Sequence, residues 1–191
     1  MSGYRSFVCI ELPEDIRKIL ADLQNRLRPL AKGTVRWPRA EGLHLTLKFL
    51  GDVELDRLDA AADALMRGCA ESHGFQLCLR GTGAFPDLRS PRVLWAGLVE
   101  PSGELEKLQA RIEKAFRAAG FAAEERPFSP HLTIARVKAP REAAALTRRW
   151  QVTSLENLWF SVEEVVLMRS DLRSDGAVYT PLRRARLTKV V

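Results

Sequence analysis

The phrase His-Leu-Thr-Leu at residues 44–47 returns as His-Leu-Thr-Ile at 131–134, 87 residues further along a chain of 191. "GLHLTLKFL" aligns with "SPHLTIARV" without a gap, and each copy follows a proline-containing loop and precedes a helical pattern. A repeat of nearly half the chain is too long for a solenoid unit. Two related lobes facing one another are the simpler reading. The expectation is one unit spanning 1–191, built of two intertwined lobes, each contributing one copy of the phrase (44–47 and 131–134).

The local patterns between the copies alternate strand and helix. "RSFVCIEL" (5–12) reads as a strand ended by Pro13. The next segment places Ile16, Ile19, Leu20, Leu23 and Leu27 at helical spacing, with Glu14 and Asp15 at its acidic start. Gly33 breaks that helix, and a strand through "LHLTLKFLG" is expected to stop at Gly51-Asp52. Helices are predicted at 54–70, 103–119 and 141–150, and strands at 75–85, 92–99, 131–137, 158–170 and 177–187. "SDGA" before the last strand is an Asp-Gly hairpin signal. Hairpins and single helices join most strands, so the fold class is α+β: two mainly antiparallel sheets facing a central cleft, helices outside, with pseudo-twofold symmetry.

Alternate residues of a strand share a face. His44 and Thr46 therefore point one way while Leu43, Leu45 and Leu47 point the other, and His131 and Thr133 project together above Leu132 and Ile134. The chain has three histidines, and two of them open the same phrase. A single such strand is readily explained by a satisfied structural histidine; two matched copies weaken that explanation sharply. Displacement at phosphorus needs a base for the attacking oxygen and an acid for the leaving oxygen, and imidazole, titrating near neutrality, fills either role. Threonine hydroxyls can donate to the non-bridging oxygens where charge builds up.

The remaining composition narrows the setting. A net charge of +6 favours anionic partners. The basic clusters Lys32/Arg36/Arg39, Arg89/Arg92, Arg148/Arg149 and Arg183/Arg184/Arg186 read mostly as a solvated face. No apolar run approaches the roughly 18–20 residues needed to cross a bilayer. The N-terminus lacks the pattern of a secretion signal. Cys9, Cys69 and Cys78, an odd number in apolar contexts, are expected to be reduced and buried, pointing to the cytoplasm. No Cys/His pair has metal-ligand spacing, so no metal and no other cofactor is expected.

"HLTLKFLG" and "HLTIAR" resemble the paired His-x-Thr-x motifs of the 2H phosphoesterase superfamily. "RSFVCIELP", "VRWPRAEGLHLTLKFLGDV", "GTGAFPDLRSPRVLWAGL" and "PFSPHLTIARV" extend the resemblance to the RNA 2′,3′-cyclic phosphodiesterases, historically called 2′-5′ RNA ligases. The resemblance implies metal-independent hydrolysis of terminal 2′,3′-cyclic phosphates to 2′-phosphates. His44 would then be proton donor to the departing 3′ oxygen, and His131 proton acceptor from water. Run in reverse, the geometry would join a cyclic end to a 5′-hydroxyl. The partner would be RNA or a nucleotide with a cyclic phosphate end, met by a monomer. The competing readings are a non-catalytic RNA- or nucleotide-binding module and a phosphodiesterase for small cyclic nucleotides.

Supporting residues are read from parity and position. Lys48 shares the face of His44 and Thr46 and would add charge to the cleft. Arg136, five residues after His131, falls on the opposite face unless the strand bends; the family pattern suggests a phosphate contact, the alternative being a surface arginine. Arg92, beside a turn, is a phosphate candidate. Phe7 could line the cleft and stack on a base, although a core phenylalanine is the plainer reading. Trp95, inside an apolar strand, reads as core, and His73 as structural at a helix end.

Overall fold

The computed structural model describes residues 3–189 except 32, 156, 174 and 175. Lys32 of the first basic cluster, and Ser174 and Asp175 of the hairpin signal, therefore lie outside the described residues. Among the described residues nine strands form two antiparallel sheets. In chain order they are β1 (Gly3–Glu11), β2 (Val35–Arg36), β3 (His44–Glu54), β4 (Phe75–Phe85), β5 (Val93–Val99), β6 (His131–Val137), β7 (Leu158–Val162), β8 (Glu164–Arg173) and β9 (Gly176–Arg186). The helices are α1 (Glu14–Leu27), α2 (Leu58–Cys69), α3 (Glu104–Ala118) and α4 (Ala144–Gln151). One sheet has the order β3-β1-β8-β9, the other β2-β6-β5-β4-β7. The α+β, two-sheet expectation stands.

Several boundaries differ from the expectation. The strand expected at 158–170 is two strands that part at Glu163 into different sheets. Periodicity alone cannot see that break, because both pieces are apolar enough to be strands. The helices expected at 54–70 and 141–150 each open with a short 3₁₀ turn, at Leu55–Arg57 and Pro140–Ala143. Strand β3 runs on through Gly51 to Glu54. Gly51 takes φ +70°, and Phe49 and Gly51 face the consecutive residues Phe7 and Ser6, so Leu50 is the extra residue of a bulge and not a strand end.

The two copies are equivalent in their pairing. In the first sheet β3 pairs with β1; in the second β6 pairs with β5, both antiparallel. The helices are exchanged. α1 follows β1, yet its Gln24 bonds to β6 of the other sheet. α3 follows β5, yet it lies against β3. α2 and α3 pack together so closely that a Cβ at Gly68 would sit 2.9 Å from Ile112 Cα. α4 covers β4, with Trp150 Nε1 donating to Gly83 O at 2.9 Å. One continuous apolar cluster runs under both sheets. A smaller one, formed by Phe7, Cys9, Val166 and Met168 with Tyr179, occupies the opposite face of the first sheet.

The apolar cluster decides which way the repeated phrases face. Leu45, Leu47, Leu132 and Ile134 are each 3% exposed or less. Each side chain buried in this way is worth about 1.5–3 kcal/mol. A one-residue slip would bring these residues to the cleft and the histidines to the core. The leucines thus hold the imidazoles outward. Cys9, Cys69 and Cys78 are free and buried. Among the described residues no helix is long and apolar enough to cross a membrane.

Candidate active site

β3 is an edge of its sheet, and β6, paired with β5 on one side, is covered on the other only by the two-residue β2, which pairs with Arg136 and Val137. The two strands approach one another across the gap between the sheets. Both histidines are half-buried and are held alike. His44 Nδ1 lies 2.7 Å from Gly42 O, and His131 Nδ1 lies 2.7 Å from Ser129 O. A carbonyl only accepts, so each Nδ1 carries the hydrogen. Each Nε2 is thereby left with a lone pair when the ring is neutral and a transferable proton when it is charged. Thr46 and Thr133, one step along the same face, are half-buried, and neither hydroxyl is engaged by a hydrogen bond among the described residues.

Beyond the threonines both strands are bulged at equivalent places. Thr46 faces Cys9 and Lys48 faces Val8, so Leu47 is the extra residue; Thr133 faces Trp95 and Ala135 faces Leu94, so Ile134 is. Each bulge reverses the parity of the residues beyond it. This corrects the placement of Lys48. It points into the protein, 2% exposed, with Nζ 2.6 Å from Glu113 Oε2 on α3 and 2.8 Å from Ala122 O. Lys48 brings no charge to the cleft. The same reversal brings Arg136 onto the face of His131 and Thr133, where it is exposed and its charge reaches both His44 and Tyr179. The bend required for the phosphate-contact reading of Arg136 is present.

Aromatic rings surround the imidazoles. Phe7 stacks on His44 at 4.6 Å between centroids, and Tyr179 meets the same imidazole edge-on at 5.1 Å. Phe7 is 4% exposed, so it offers no open face to a base; it backs the His44 ring instead. The residue with an open face is Phe49, 58% exposed and 6.4 Å from Phe7. On the other strand Phe85 meets His131 edge-on at 5.0 Å and lies 5.5 Å from Trp95. Trp95 is half-buried on the cleft side, not in the core; its ring lies across Gly83, where a Cβ would come within 2.1 Å of it. Arg92 lies off the site. Val93 and Trp95 take the cleft face of β5, and the Arg92 guanidinium turns away to donate to Lys138 O at 3.2 Å beside Pro140 and Glu142. His73 is exposed and bridges Thr188, far along the chain from either motif.

The electrostatics are uneven. Burial holds the His44 imidazole below the ordinary range; the Gly42 carbonyl and Glu11 oppose that shift, and Arg136 adds to it. Glu11 is itself paired with Arg184 at 2.7 Å, and Arg184 also pairs with Glu164. Burial raises Tyr179, against the pull of Arg136, Arg36 and Arg5. Those three arginines make the mouth of the site basic. Tyr179, Phe49 and Glu11 escaped the sequence reading. No spacing signals them: Glu11 and Tyr179 come to His44 through the order of strands in the sheet, and Phe49 comes to the cleft face through the bulge at Leu47. Among the described residues no group of three or more His, Cys, Asp or Glu is arranged to hold a metal ion.

Known proteins are similar to this chain in sequence and fold. The model of the "2'-5' RNA ligase superfamily" matches residues 12–173. The RNA 2′,3′-cyclic phosphodiesterase of Methanothermobacter thermautotrophicus is 35% identical over 96% of this chain and 98% of its own. The protein of the same name from Thermus thermophilus is 36% identical, over 96% and 90%. Among solved structures, Escherichia coli LigT complexed with 3′-AMP superposes with a TM-score of 0.79 at 30% identity, covering 98% of this chain and 99% of that one.

Proposed function

The chain belongs to the 2′-5′ RNA ligase superfamily, and we propose that its cleft hydrolyses terminal 2′,3′-cyclic phosphates of RNA to 2′-phosphates. The observation that carries this reading is the pair of equivalent His/Thr strands, each imidazole pinned through Nδ1 so that Nε2 is free for proton transfer. His131 Nε2 takes a proton from water as the water oxygen bonds to phosphorus. The P–O3′ bond breaks, and the departing 3′ oxygen takes the proton of His44 Nε2. The products are a 2′-phosphate and a 3′-hydroxyl, and solvent exchange restores the two rings. Thr46 and Thr133 donate to the non-bridging oxygens as their charge grows, and Arg136 adds a positive charge at the same face.

The division of labour between the rings fits their surroundings. A buried imidazolium is a stronger acid than an exposed one, so His44 releases its proton readily, and the anionic phosphate arriving beside it favours its charged form. Phe49 offers an open ring for a base at the cleft edge. With a 5′-hydroxyl in place of water, the same site would form a 2′-5′ linkage. The scheme asks for no metal.

Incubation with an oligonucleotide bearing a 2′,3′-cyclic phosphate, in EDTA, tests the proposal. A 2′-phosphate product is expected, and longer RNA should be turned over more efficiently than the cyclic mononucleotide. A 3′-phosphate product, or none, would overturn it.

A further inference from the structure

The bulges that shape the site have a common support. A bulge leaves its extra residue outside the ladder. Here the carbonyls of both extra residues are met by glutamine side chains from the exchanged helices. Gln24 Nε2 of α1 donates to Ile134 O at 3.0 Å, and Gln109 Nε2 of α3 approaches Leu47 O at 3.4 Å. Gln24 is 2% exposed and also donates to Pro38 O at 3.0 Å. Both of its partners are carbonyls, so the amide nitrogen must face them and both N–H groups are used. Pro38 lies in the segment that leads to Gly42, whose carbonyl pins His44. One side chain thus ties the bulge of the His131 strand to the approach of the His44 strand.

We propose that Gln24 is a positioning residue: its amide holds the Ile134 bulge, and so keeps Arg136 on the cleft face opposite His44. Gln109 does the same, less tightly, for the Leu47 bulge and Phe49. The inference rests on the reading of the cleft as the active site. Without the amide, the buried Ile134 carbonyl and the partly buried Pro38 carbonyl lose this donor, and the strand can recover a regular ladder only by turning Arg136 towards the helices.

The test is Gln24→Met, which preserves length and volume and removes both donors. Two measurements on the full chain separate the outcomes. The first is the His44 titration followed by NMR without substrate. The charged or titratable groups facing that ring are Glu11 from β1, Arg136 from β6 and Tyr179 from β9. Arg136 depresses proton uptake, so Arg136→Ala should move the titration to higher pH. Gln24→Met should move it in the same direction, and the double variant no further. Leu23→Ala, a core change on the same helix, should destabilise the protein without that movement. The second is kcat/KM on the cyclic-phosphate oligonucleotide, expected to fall about tenfold in Gln24→Met and in Arg136→Ala, with no further loss in the double variant. An unmoved titration, or losses that multiply, would overturn the inference. The expected titration shifts without any turnover would instead retain it and overturn the proposed function. Should Gln24→Met not fold, Gln24→His, which keeps one donor, takes its place with smaller changes in the same directions.

Discussion

The two His-x-Thr strands start identically and diverge after the threonine. Both pin Nδ1 to a carbonyl at 2.7 Å, both present a hydroxyl with no hydrogen bond among the described residues, and both bulge at the residue after it. The residue after the bulge is Lys48 in one and Ala135 in the other, both buried; the next is the exposed ring of Phe49 in one and the guanidinium of Arg136 in the other. His44 is stacked and flanked by two rings, while His131 meets one ring edge-on. The repeated phrase supplies two imidazoles held alike, and divergence beyond the threonine makes one side aromatic and the other cationic. The acid and base roles proposed for the two rings would draw on this difference in surroundings.

The largest expected effect breaks the symmetry altogether. His44→Ala and His131→Ala should each lower the rate by about 10²–10⁴-fold, with melting temperatures close to the parent, since neither ring is in the core. Full activity in either variant would show that the two strands do not share one reaction.

Next is the Lys48/Ala135 difference. Breaking a buried ion pair from one side costs about 3–5 kcal/mol, and the partial exposure of Glu113 puts Glu113→Gln at the lower end of that range. Chemical denaturation should show the loss, with Lys48→Met/Glu113→Leu recovering much of it. Activity per folded molecule should stay at the parental level in all of these. A selective fall in kcat/KM for Lys48→Met would restore Lys48 to the cleft.

The smallest effect concerns the environments of the rings. Burial lowers the His44 imidazole, so Phe7→Leu, which uncovers part of the ring, should raise it towards its ordinary value. The optimum of a bell set by two groups lies at the mean of their apparent pKa values, so it should move to higher pH by half that rise. An optimum that stays in place would mean that the unequal packing of the two rings has no chemical consequence.

Much of the site was legible because it obeys period two over four residues. His44, Thr46, His131 and Thr133 could be placed on one face, with Leu45, Leu47, Leu132 and Ile134 behind them, from alternation alone. Legibility ended at the bulge. Unbroken parity puts Lys48 in the cleft and brings Arg136 to it only if the strand bends; the bulges turn Lys48 inward and supply the bend for Arg136. An inserted residue changes neither composition nor local pattern, so nothing in the strand announces it. Phe7 was within reach as a cleft residue, but its role behind His44 depends on the β1–β3 pairing. Tyr179 depends on β9 coming to the same sheet from the other end of the chain.

The amino-acid sequence by itself determined that this protein has two equivalent imidazole–hydroxyl pairs with apolar backs, in an α+β chain of doubled design. That information is local: a repeated phrase and the alternation of a strand. The tertiary structure alone decided that the helices exchange, that Gln24 and Gln109 meet the bulged carbonyls, that Arg136 faces His44, and that Lys48 is buried against Glu113. Each of these joins residues tens to more than a hundred positions apart. Their energies depend on distance and burial, quantities that exist only once the two sheets have closed on one another.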